Sequence, residues 1–121
     1  MAARDFWGDL QATEVRTPLS ILREQASMLG PKTNHLLEAR VDSDVSNGTF
    51  YHRFTLVVPA LDNYTYQLFV IEHGIDLYPV KELGDPQRLN DEAEFTEWLR
   101  QRLTSPQTRK ILSNLVAQAQ S

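Results

Sequence analysis

At 121 residues with 41 % hydrophobic side chains, the chain is long and apolar enough to bury one core without a covalent staple. It has no cysteine, which excludes disulfides and thiolate zinc sites and fits a reducing, cytoplasmic compartment. A net charge of -4 argues against nucleic-acid binding, and no apolar run has the length of a membrane span or a signal peptide.

Residues 1–16 hold Phe6, Trp7, Leu10 and Val15 among polar neighbours, an arm with enough apolar weight to dock along a core edge. A first helix is predicted over 18–29. Thr17 can cap it, Pro18 suits its first position, Gly30 can take the left-handed terminating conformation and Pro31 opposes continuation. Leu19, Leu22, Ala26 and Leu29 share one side of that helix at 100° per residue, while Ser20, Arg23, Glu24 and Ser27 share the other.

After a connection at Lys32–His35, Leu37–Val58 spells out a hairpin around Asn47-Gly48, a pair suited to the positive φ of a type I′ turn. Pairing Ser46 with Thr49 sets Val45 opposite Phe50, Ser43 opposite His52, Val41 opposite Phe54 and Ala39 opposite Leu56. The other face then pairs Asp44 with Tyr51, Asp42 with Arg53, Arg40 with Thr55 and Glu38 with Val57. Pro59–Asn63 makes a turn into a third strand, Tyr64–His73, whose strict alternation leaves apolar residues on both faces. A tight turn at His73-Gly74 would bring Leu77 opposite Val70 and Tyr78 opposite Phe69 on a fourth strand, Ile75–Val80.

Lys81–Asn90 lacks periodicity and reads as a surface connection. Asp91 or Asn90 caps a second helix; with Asp91 in that role Glu94 is its reciprocal capping-box residue, and Phe95, Trp98, Leu99 and Leu103 face inward. Ser105-Pro106 restarts the chain as a third helix with Ile111, Leu112, Leu115, Val116 and Ala119 on its apolar stripe. The order α-β-β-β-β-α-α predicts a single α+β domain over 1–121: a four-stranded antiparallel meander with an N-terminal helix and a C-terminal helical pair, helices mostly on one side.

No constellation names a chemistry. His35, His52 and His73 fall in different elements without metal-ligand spacing, so no metal, cofactor or catalytic residue is singled out. His52, opposite Ser43, reads as a neutral histidine satisfied by a hydrogen bond. Serine lacks a nucleophile elbow, and the glycines stand singly, with no phosphate loop.

The richer signal is the second sheet face, expected to gather Tyr51, Phe69 and Tyr78 with Arg40, Asp42 and Arg53. Aromatic groups rimmed by charge suit a protein interface. The expectation is a non-catalytic domain that binds another protein through this face or a sheet edge, comparable in size and acidity to immunity proteins, antitoxins, adaptors or small chaperones. The alternative is a small-ligand-binding protein or enzyme whose pocket between sheet and helices uses His52 or His73. A third reading is a homodimer through the strand 4 edge.

Overall fold

The computed structural model describes residues 4–11 and 15–121. Helix α1 spans Pro18–Lys32, strands β1 to β4 span Glu38–Ser46, Thr49–Val58, Tyr64–His73 and Val80–Glu82, and helices α2 and α3 span Glu92–Thr104 and Pro106–Ala119. The strands form one antiparallel sheet in the order β1-β2-β3-β4, as the sequence predicts.

The hairpin pairs as expected, from Ser46 with Thr49 to Glu38 with Val57. Asn47 at φ 50° and Gly48 at φ 78° supply the two positive angles that this turn requires. Phe54, Leu56, Phe69, Ile71 and Val80 meet Ile21 and Leu22 of α1 and Phe95 and Leu99 of α2 in one core. Ile111, Leu112 and Leu115 of α3 pack against the same cluster, so the helices share one side of the sheet.

Helix α1 runs past Gly30 and contains Pro31. A proline in the last turn removes only one helical hydrogen bond there, which is insufficient to end the helix. Termination falls instead to Thr33, whose N–H reaches the Leu29 and Gly30 carbonyls, followed by Asn34 and His35 at positive φ. A Cβ at Gly30 would meet the Glu38 carboxylate, the far end of a flexible side chain that can move aside.

Strand β3 departs from strict alternation. Phe54 pairs with Phe69 while Thr55 pairs with Gln67, leaving Leu68 as the extra residue of a β-bulge. The bulge brings Tyr64 and Tyr66 to the same side as Phe69, Ile71 and His73. Phe69, expected on the open face, is therefore 3 % exposed in the core, stacked on Phe54 at 5.2 Å and edge-on to Trp98 at 5.2 Å.

Strand β4 is shorter and later than the expected Ile75–Val80. His73 pairs with Val80, so 74–79 forms a wide loop in place of a two-residue turn. Pro79 has no N–H for the ladder, and pairing begins at the next residue. Tyr78 consequently lies in the loop, half-buried, with its hydroxyl donating to the Arg16 carbonyl at 3.2 Å. Val80 and Leu89 exchange two backbone hydrogen bonds of 2.8 Å on the outer side of β4.

Asp91 caps α2 by accepting from the Glu94 N–H at 2.9 Å. The Glu94 carboxylate reaches the Asn90 N–H at 2.8 Å, one residue before the expected reciprocal position. Ser105 ends α2 and accepts from the Thr108 N–H at the start of α3, while the buried Thr108 hydroxyl donates to the Arg102 carbonyl at 2.7 Å.

Because Phe69 is fully packed, Phe69→Ala should cost about 3–5 kcal/mol in urea unfolding. Thr65→Ala, at an exposed position on the opposite sheet face, should stay within about 0.5 kcal/mol of wild type in the same measurement.

Candidate functional site

The register separates the two faces of the sheet. The uncovered face carries Arg40, Asp42 and Asp44 of β1, Tyr51, Arg53, Thr55 and Val57 of β2, Thr65, Gln67, Val70 and Glu72 of β3, and Lys81 of β4. Four residues of the expected interface, Arg40, Asp42, Tyr51 and Arg53, lie together there. Phe69 and Tyr78 do not join them: the bulge turns the first into the core, and the late start of β4 leaves the second in a loop.

The charges on this face are largely occupied with one another. Arg53 pairs with Asp44, the diagonal neighbour, and not with Asp42 directly across; Arg40 Nε donates to Asp42 at 3.1 Å, and Lys81 lies 3.4 Å from Glu72. Exposed pairs of this kind contribute at most about 1 kcal/mol each. The face is a largely charged and polar surface around the buried Thr55 and Val70, with Tyr51 as its aromatic member, not the aromatic platform expected from the sequence.

On the helix face, the structure joins two histidines that sequence reasoning kept apart. His52 is 3 % exposed and His73 is 7 % exposed. Ser43 Oγ lies 2.7 Å from His52 Nδ1, His52 Nε2 lies 2.8 Å from His73 Nε2, and His73 Nδ1 lies 2.7 Å from the Gly74 carbonyl. The expected Ser43–His52 contact is thus present, and His73 extends it. The direction of the neutral chain follows from its end. A carbonyl only accepts, so His73 Nδ1 carries a proton and its Nε2 accepts; His52 Nε2 must then donate, and its Nδ1 accepts from the Ser43 hydroxyl.

Phe50 stacks on His73 at 5.3 Å and an interplanar angle of 10°. Beside the pair, Leu19, Phe50, Ile75 and Leu77 border an apolar recess of about 200 Å³. All four ring nitrogens of His52 and His73 have a partner, and no buried side-chain nitrogen or oxygen among the described residues lacks one. No group of three or more His, Cys, Asp or Glu residues suited to a metal occurs among the described residues. The Ser43–His52–His73 hydrogen bonds tie β1, β2 and β3 together, and both imidazoles are fully engaged within them.

The third feature is the arm. Phe6, Trp7 and Leu10 are 90, 80 and 78 % exposed, and therefore do not dock on the core as the sequence suggested. The helices' own apolar stripes already fill that core. The root of the arm is held: Arg16 bonds Glu24 at 2.8 Å, approaches Glu92 at 3.8 Å and receives the Tyr78 hydroxyl.

Burial is the main reason the His52 pKa falls from 6.5 to about 4, with His73 and then Arg23 adding electrostatic opposition to its charge. Unfolding exposes a histidine that protonates near 6.5, so the unfolded state binds the extra proton between pH 6.5 and 4 and stability falls as pH is lowered through that window. The loss should reach about 2 kcal/mol by pH 5 and about 3 kcal/mol by pH 4. Urea unfolding at pH 7 and pH 5 should show this slope in wild type and a much flatter one in His52→Gln, whose amide can still donate to His73. No protein-family model, curated protein or solved structure matches this chain, so the functional reading rests on its own geometry.

Proposed function

We propose that the chain is a non-catalytic protein-interaction domain whose apolar anchor is the N-terminal arm. The observation that carries this reading is the clustering of Phe6, Trp7 and Leu10 within five residues, all largely exposed. Side chains of this size dominate interface energetics when buried, and segments that dock on binding characteristically place a few such anchors along a short stretch. The open sheet face supports the same reading in a lesser role: Tyr51, Arg40, Asp42 and Arg53 have the polar composition of an interface rim. An enzyme is less favoured because the only buried titratable chain, Ser43–His52–His73, is satisfied internally among the described residues.

The alternative of a small-ligand site retains one supporting observation, the convergence of His52 and His73 beside an apolar recess. A ligand there must replace the His–His hydrogen bond, and would shift the imidazole resonances of both residues together in a histidine-detected NMR titration.

The test of the interaction reading is photo-cross-linking in the native host from a probe at position 10. A discrete protein adduct should form with the wild-type arm and disappear in Phe6→Ala/Trp7→Ala, while the far-UV circular dichroism spectrum stays unchanged because neither side chain belongs to the core. An adduct that survives both substitutions would count against the arm as anchor.

A further inference from the structure

The same chain carries an uncovered groove that complements its arm. Between α1, the sheet and α3, Met28, Leu29, Leu68, Leu103 and Leu112 line a predominantly apolar trough of about 310 Å³. The charged residues on its margin are Lys32 and Arg109, both basic, although the protein as a whole has a net charge of -4. Neither forms an ion pair among the described residues. A fitting occupant therefore presents large apolar side chains with an acid beside them. The arm does so: Phe6, Trp7 and Leu10 surround Asp9, whereas Asp5 is engaged locally by the Trp7 N–H at 2.8 Å.

We infer that the arm of one molecule seats in this groove on a second copy, with Asp9 facing Lys32 and Arg109, and that two copies exchange arms about a two-fold axis. This rests on the reading of the arm as an interaction anchor and names its partner. The path the arm must take favours a second copy over the same molecule. Lys32 lies 16 residues beyond Arg16 along α1, about 24 Å at ~1.5 Å per residue. Asp9 precedes Arg16 by seven residues, which span at most about 25 Å when fully extended. Docking within one molecule thus needs the arm to reverse at Arg16, which Glu24, Glu92 and the Tyr78 hydroxyl hold in place, and to run back along most of α1. Exchange between two molecules needs no such reversal, and a reciprocal exchange closes on itself as a dimer.

Sedimentation equilibrium of the full chain tests the inference, with 5-fluorotryptophan labelling to follow Trp7 by ¹⁹F NMR. The expected result is a dimer in which Trp7 is shielded from solvent. Trp7→Ala and Leu112→Arg should each weaken association by roughly tenfold or more, as loss of a buried anchor does. Mixing the two variants should partly restore association, because one supplies an intact arm and the other an intact groove. Should Leu112→Arg disturb folding, the exposed pair Asp9→Arg and Arg109→Asp provides a second route: each alone should weaken the dimer, and the double variant should recover it.

A monomer with shielded Trp7 would overturn the inference in favour of docking within one molecule. A monomer with exposed Trp7 would also overturn it while leaving the arm free for a different protein, which the cross-linking adduct would identify by mass. A dimer that persists in both Trp7→Ala and Asp9→Arg would place self-association on another surface and equally overturn it.

Discussion

The fold turns on one inserted residue. Leu68 breaks the two-residue period of β3, so the strand can direct Tyr64 and Tyr66, and after the bulge Phe69 and Ile71, toward the same helices. Without that insertion one of these sets would face water. The bulge also builds the aromatic centre, since Phe69 enters between Phe54 and Trp98, and Arg102 lies over both Phe69 and Trp98 while holding Glu82 at 2.8 Å. Through this cluster β2, β3, β4 and α2 are fixed to one another.

The same insertion sets the character of the opposite face. With the large apolar residues of β3 drawn inward, threonine, glutamine and paired charges remain outside, a composition stable in water without a cover. A run of exposed apolar side chains lies instead outside the sheet, at Phe6, Trp7 and Leu10.

What could be read from the sequence depended on whether a signal was local. The hairpin was legible because Asn47-Gly48 specifies a turn and the flanking alternation agrees with it; the cap Thr17, the restart at Ser105-Pro106 and the helical stripes were legible for the same reason. Gly30 misled because it continues the helix, while the positive φ that follows the helix falls at Asn34 and His35. His73-Gly74 resembled a tight turn, yet the loop extends to Pro79, and that error displaced both β4 and Tyr78. The His52–His73 contact required the β2–β3 register, in which His73 lies diagonal to His52 across a five-residue connection; the available clue was that both histidines occupy positions on an apolar face. The exposure of the arm had no local signature, since Phe and Trp look alike in sequence whether they cover a core or await a partner.

The paired backbone of Val80 and Leu89 bears on how copies of this protein can meet. Their two mutual hydrogen bonds occupy the outward-facing groups at the start of β4, so an incoming strand would have to strip Leu89 away before adding to the sheet there. At the opposite margin, Arg40, Asp42 and Asp44 space charges at every second residue of β1. The sheet is thereby a poor template for its own extension, with one border sewn shut and the other electrostatically fenced. Growth into open-ended fibres through those edges is discouraged.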